Sequence, residues 1–309
     1  MSRERSPLDP DVLARLSGLQ VEVARVVEGV LAGLHRAARH GVSTEFADHK
    51  AYSPGDDPRH LDWRVLGRLD RWVVKRFEDE TALEALVAVD MSGSMGYGPD
   101  GRDKAGTATV LAASLASLLL RQGDGVGLLV LGGSAPADLP PSARPERLAE
   151  LVAALAAARP AGPTRLVEVL ERFVERVPRR GLLALCSDLF DPDPEVLTGL
   201  QMLAARGHQV LVFHVLHPDE LTLPFDEPSL FESLEDDRRL LVAPREIRAA
   251  YLAELGRFLA STRRALAGRG LAYELCRTDE APHEPLLRRL SRRRASAPEA
   301  ARAGGRAEP

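Results

Sequence analysis

Asp90, Ser92 and Ser94 are spaced Asp-x-Ser-x-Ser. One carboxylate and two hydroxyls are hard oxygen donors, which suit Mg2+ or Mn2+ rather than a soft metal. The triplet directly follows Leu86-Val87-Ala88-Val89, a short continuous apolar run with the composition of a strand buried on both faces. The donors are therefore expected on the turn at the carboxyl end of a strand. Asp, Ser and Gly are also ordinary turn residues, so the triplet needs ligands from elsewhere in the chain to make a metal site.

The elements that would position such ligands can be read downstream. Arg102 to Arg121 has helical periodicity, with Asp103 placed to cap its start and Gly123 to stop it. Gly125 to Leu131 is a second buried-strand run. Pro145 to Arg159 is helical, and after Ala161-Gly162-Pro163-Thr164 comes the amphipathic run Arg165 to Val177. Gly181 to Ser187 is a third apolar strand, ending in Ser187-Asp188. A helix (194–206), a strand (209–216), a long helix (244–267) and a last strand (271–276) follow.

Strands alternating with helices of this length predict a parallel, doubly wound α/β sheet with helices on both faces. Ligands of such sheets bind beyond the carboxyl ends of the strands, near the point where the strand order reverses. Asp90 and Asp188 both directly follow strands, and the loop carrying Thr164 can reach the same edge. Asp90, Ser92, Ser94, Thr164 and Asp188 thus form a candidate divalent-metal site. The alternative is a polar sheet edge that holds no metal.

These five residues, in this order and approximate spacing, resemble the metal-ion-dependent adhesion site of a von Willebrand factor A domain. The resemblance covers about residues 82–293. It implies that Ser92 and Ser94 ligate the metal directly, as does Thr164 in some states, with Asp90 and Asp188 acting largely through water. It also implies an open coordination position that a partner's Glu or Asp fills, with no bond broken.

The upstream segment adds a second resemblance. Ser53-Pro54-Gly55-Asp56 is a turn signal, and Asp57 with Pro58 reads as a helix start. Leu61, Val65 and Leu66 give that helix an apolar face, and Trp72 to Phe77 alternates like a strand. Glu45, Phe46, Tyr52, Pro54, Gly55, Asp56, Asp57, Arg59, Asp62, Trp63, Val74, Lys75, Phe77 and Glu78 are similar to the signature of the domain of unknown function 58 family. In that family the signature precedes an A-type domain. Lys50 and Gly67 depart from it, where Arg and Ala are usual. The resemblance implies partnership with a MoxR-type AAA+ ATPase in protein maturation, because members are commonly encoded beside such ATPases.

Composition narrows the alternatives. A net charge of −4 and a pI near 6.1 argue against general nucleic-acid binding. No run of about 18 apolar residues occurs, so no membrane insertion is expected. The first residues, MSRERSPLDPDV, contain no apolar signal region, so the protein is expected in the cytoplasm. Cys186 and Cys276 fall in apolar strands and read as small core residues. No His-Glu-x-x-His occurs among the eight histidines.

An enzyme would need other residues. An aspartyl nucleophile at Asp90 would want a second acid two residues on, where Ser92 stands. No Gly-x-Ser-x-Gly elbow and no phosphate-binding Gly-x-x-x-x-Gly-Lys-Ser/Thr loop exist. A metal-dependent, phosphatase-like hydrolase using the same acidic edge is the alternative activity.

The expected organisation is an N-terminal α+β lobe (1–81), a von Willebrand A-like domain (82–293) and a disordered tail (294–309). The expected function is a non-enzymatic, Mg2+-dependent (or Mn2+-dependent) adaptor or co-chaperone. Its partner would be a MoxR-type ATPase, a client protein supplying an acid to the metal, or both. Residues 218–237 read as a loop with a short hairpin at its end.

Overall fold

The computed structural model describes residues 10–39, 49–51, 67, 73–75, 82–99, 102–163, 166–190, 194–268 and 270–296. By its contacts the chain forms two units, residues 1–34 with 83–309, and residues 35–82. In the smaller unit, β1 (His49–Ala51) pairs antiparallel with β2 (Val73–Lys75), inside the stretch expected to be a strand. The expected turn at 53–56 and helix around 61–66 lie outside the described residues.

The larger unit holds a six-stranded sheet. Its strands are β3 (Glu84–Asp90), β4 (Gly125–Leu131), β5 (Ala137–Ser142), β6 (Leu182–Ser187), β7 (Gln209–Leu216) and β10 (Leu271–Arg277), in the spatial order β10-β7-β6-β3-β4-β5. All pairings are parallel except that of β5, which runs antiparallel along β4. From β3 the chain winds outward through β4 and β5. It then returns to β6 on the other side of β3 and winds outward through β7 and β10. The strand order therefore reverses between β3 and β6, which is where a doubly wound sheet opens a crevice at its carboxyl edge. This is the α/β, mainly parallel, doubly wound sheet that the sequence predicts.

The strands form because their runs are apolar on both faces, as strands covered by helices on both sides require. In β3, Ala85, Val87 and Val89 face one apolar cluster, while Leu86 and Ala88 face the other. The first cluster is closed by α2 (Lys104–Arg121), α3 (Arg147–Ala157) and α8 (His283–Ser296). The second is closed by α4 (Leu166–Arg176), α5 (Pro194–Ala205) and the C-terminal part of α7 (Pro244–Ala265). Asp103 caps α2 as expected, its carboxylate accepting from the Gly106 N–H at 2.7 Å. From Thr107 to Leu119 every residue of α2 is buried.

One reason is α1 (Pro10–Arg39). Its stripe Leu19, Val23, Val26, Val27 and Val30 recurs at helical spacing and joins the same cluster as α2. The sequence assigned all of 1–81 to a lobe; the stripe instead puts α1, through residue 34, with the sheet domain. At the other end α8 continues to Ser296, past the expected start of the tail, and residues 297–309 lie outside the described residues.

Strand β5 was not anticipated, because Pro140 and Pro141 argue against a strand. It is tolerated as the antiparallel edge, next to a register irregularity at Val126/Leu128. Gly127 lies there, and a Cβ on it would come within 2.7 Å of the Leu139 carbonyl oxygen. The buried Arg147 guanidinium ties α3 to this strand through the Pro140 carbonyl.

Candidate metal-binding edge

Asp90 is the last residue of β3, and Asp188 is the first after β6, so the two acids flank the reversal point. The chain turns sharply after each. The Ser92 N–H donates to Asp90 Oδ1 at 2.9 Å, and a one-turn 3-10 helix follows (Gly93–Gly96). Met91 and Met95 point into the core and anchor this turn, 1% and 0% exposed. They are packing residues. The turn presents the two serine hydroxyls side by side, with Ser92 Oγ 3.2 Å from Ser94 Oγ.

After β6, the Leu189 N–H donates to Ser187 Oγ at 3.0 Å and the Phe190 N–H to Asp188 Oδ1 at 3.2 Å. Leu189 takes a left-handed conformation (φ 51°) although it is not glycine. That strain costs on the order of 1 kcal/mol or more, and it is held by the complete burial of the Leu189 side chain.

Both carboxylates are buried and partnered. Ser187 donates its hydroxyl to Asp90 Oδ2 at 2.7 Å. Lys104, at the start of α2, donates its ammonium to Asp188 Oδ2 at 2.7 Å and to Glu220 Oε1 at 2.6 Å. The Lys104 Nζ also lies 4.9 Å from the centre of the Phe190 ring, a cation–π contact. Glu220 belongs to α6 (Pro218–Thr222), which His217 caps while the Glu220 side chain accepts from the His217 N–H in return. Tyr97 donates its hydroxyl to Asp219 on the same short helix at 3.0 Å.

Two carboxylates, Asp188 and Glu220, thus share one ammonium, and a third, Asp90, lies close enough to Asp188 to feel its charge. Burial pushes the Asp90 carboxyl above its ordinary range, and the negative charge of Asp188 adds to the rise. The hydrogen bonds from Ser92 and Ser187 oppose it. Glu220 is also raised, by burial first, with the Lys104 charge acting against it. An added cation would relieve this crowding of like charge.

Among the described residues no three His, Cys, Asp or Glu side chains are arranged to hold a metal by themselves. The donor set here depends on hydroxyls. Ser92 and Ser94, with the remaining lone pairs of Asp90 and Asp188, make a hard, all-oxygen set that fits Mg2+ or Mn2+.

Asp90, Ser92 and Ser94 come together on one turn, and Asp188 lies on the adjacent strand end. Thr164 lies outside the described residues. The loop leading to it is described through Pro163, and it docks on the site: the Gly93 N–H donates to the Gly162 carbonyl at 2.8 Å, and the Ala161 N–H to the Met91 carbonyl at 3.0 Å. Sequence reasoning missed Lys104, Ser187 and Glu220. Ser187 stood beside Asp188 at a strand end and could have been included. Lys104 and Glu220 carry no local signal, since a charged residue in a first helical turn is usually solvated.

A hairpin completes the surroundings. Strands β8 (Ser229–Glu232) and β9 (Arg239–Val242) pair antiparallel, and their connecting turn reaches the Ser92–Ser94 loop. A cavity of about 270 Å3 lies between them, lined by Ser94, Lys104 and Glu220 on one side and Leu234, Glu235 and Arg238 on the other.

Comparison with known proteins places the chain. Uncharacterized protein Rv1480 of Mycobacterium tuberculosis (strain ATCC 25618 / H37Rv) is 29% identical over 296 residues, covering 84% of this chain and 93% of the relative. Uncharacterized protein Mb1516 of Mycobacterium bovis matches equally, at 29% identity over the same shares. Among solved structures, the conserved hypothetical protein BatB from Bacteroides thetaiotaomicron is similar over 70% of this chain and 100% of its own, with 16% identity and a TM-score of 0.44. The SpRpn10 VWA domain is similar over 66% of this chain and 94% of its own, with 11% identity and a TM-score of 0.39. The family model described as "Protein of unknown function DUF58" matches residues 48–257, more than half of the chain, and the protein belongs to that family.

Proposed function

We propose that the protein is a non-enzymatic, metal-dependent binding adaptor that works in the cytoplasm with a MoxR-type AAA+ ATPase in protein maturation or complex assembly. The observation that carries the metal reading is the pair of serine hydroxyls 3.2 Å apart on the turn that follows Asp90, at the reversal point whose neighbouring strand end carries Asp188. Mg2+ is the ion, with Mn2+ as a substitute. Ser92 and Ser94 hold it, Asp90 and Asp188 balance its charge, and Thr164 is the fifth member of the set. When bound, the ion supplies a Lewis-acidic position for a carboxylate of the partner.

The engagement of Asp90 supports binding rather than hydrolysis. One of its oxygens accepts from the Ser92 N–H and the other from the Ser187 hydroxyl, which leaves it poorly placed as a nucleophile. Position 92 also offers no second acid to protonate a leaving group. The ATPase partnership rests on the resemblance of residues 45–78.

The test is co-purification of wild-type and Asp90→Ala protein with the MoxR-type ATPase, each with Mg2+ and with EDTA. Retention or stimulation of the ATPase by wild type with Mg2+ alone supports the reading. No association and no stimulation in any nucleotide state rules the partnership out.

A further inference from the structure

The β8–β9 hairpin sits over the serine turn. A Cβ built on Gly93 would come within 1.9 Å of the Leu234 carbonyl oxygen, so the hairpin's backbone rests directly on the turn and only glycine leaves it room. Ser94 is partly buried, and its hydroxyl shares the 270 Å3 cavity with Leu234, Glu235 and Arg238 of the hairpin. A partner's carboxylate approaching the Ser92–Ser94 edge from this side meets the hairpin first.

The hairpin is built as an appendage. It belongs to its own two-stranded sheet, separate from the six-stranded one. Several hydrogen bonds of its turn close within it: the Ser233 N–H to the Arg238 carbonyl, the Glu235 and Asp236 N–H groups to Ser233 Oγ, and the Arg238 side chain to Asp236. Leu230, Leu234, Leu240 and Leu241 are all more than half exposed, so the main core does not grip it. An isolated two-stranded hairpin has little stability of its own. Its root is fastened: Arg248 of α7 donates to the Leu223 and Phe225 carbonyls and to Asp226, all within 2.9 Å. The arrangement is a fixed base, an arm that pairs with no strand of the main sheet, and a tip seated on the candidate site.

We propose that the β8–β9 hairpin is a movable cover of the hydroxyl edge, closing the cation position at Ser92 and Ser94 to a partner's acid until the arm swings away from Gly93. This rests on the metal-edge reading and adds regulation to it. Two variants open the cover by different routes. Gly93→Ala places a methyl group where the Leu234 carbonyl lies; its backbone is not in the left-handed region, so the neighbour that must yield is the hairpin. Replacing residues 230–241 by Gly-Ser-Gly removes the arm and leaves the six-stranded sheet intact.

The experiment is water-proton relaxation with Mn2+ as the probe, on the full chain and both variants, after Mn2+ affinity has been measured for each. With the cover in place bulk water exchanges poorly with the bound ion. In both variants the relaxation enhancement per bound Mn2+ rises about twofold as further coordination positions become open to water. Equal enhancement in all three proteins, with Mn2+ bound in each, overturns the cover and leaves the metal edge standing. Failure of all three to bind Mn2+ overturns both. Hydrogen exchange at residues 92–96 reads the cover without a metal: it quickens in both variants, and unchanged exchange contradicts the proposal.

Discussion

Lys104 Nζ lies 2.7 Å from Asp188 Oδ2 and 2.6 Å from Glu220 Oε1, with the Lys104 side chain 1% exposed. One buried ammonium thus joins the acid beyond β6 to the short helix α6, from which the chain runs on to the covering hairpin. Removing one member of a buried ion group leaves its partners charged and unpaired, which costs about 3–5 kcal/mol. Lys104→Met is therefore expected to lower unfolding stability by that order in urea titrations. Added Mg2+ should restore part of the loss, because an ion at the neighbouring hydroxyls offsets the unpaired charge of Asp188 and stabilises the folded state by mass action. A loss that Mg2+ leaves unchanged would separate Lys104 from the metal edge.

His214 sits on β7 with its Nδ1 2.8 Å from the Tyr273 hydroxyl. Burial pulls its imidazole down to about 4 from the ordinary 6.5. Below pH 6.5 the unfolded chain takes up a proton that the folded one refuses, so stability falls as the pH drops toward about 4 and levels off beneath it. The full effect is on the order of 3 kcal/mol. In His214→Gln this component is absent. Unfolding midpoints of the two proteins at pH 7 and pH 4.5 check it, because the carboxylate contribution common to both cancels in the difference.

The core and the hairpin should respond oppositely to truncation. Phe173 is 0% exposed in the cluster beneath α4 and α5, and Phe173→Ala is expected to cost about 3–5 kcal/mol. Leu241 is 74% exposed on β9, and Leu241→Ser should stay within about 0.5 kcal/mol of wild type. Denaturant melts of both variants test whether the arm lies outside the cooperative core.

Much of the sheet was legible because buried parallel strands write themselves as unbroken apolar runs. β3, β4, β6 and β7 all fall where such runs stand, and Asp90 and Asp188 fall at their carboxyl ends. β5 was hidden by Pro140 and Pro141, which only an edge strand accommodates. The helical spacing of the α1 stripe says which face is buried and not which core receives it. Lys104 and Glu220 are 116 residues apart and meet only through the fold. The hairpin was read as the end of a loop; that its tip rests on Gly93 depends on the missing Cβ there, a packing fact with no local sequence pattern.

The central claim is that Asp90, Ser92, Ser94 and Asp188 hold a divalent ion. Calorimetric titration of Mg2+ and Mn2+ into wild type, Asp90→Ala and Ser94→Ala tests it most directly, with circular dichroism confirming that the variants fold. One ion bound by wild type and an affinity at least about tenfold weaker in each folded variant, a loss of 1.4 kcal/mol or more, is the predicted result. Equal binding by all three proteins, or none by wild type, would contradict the account.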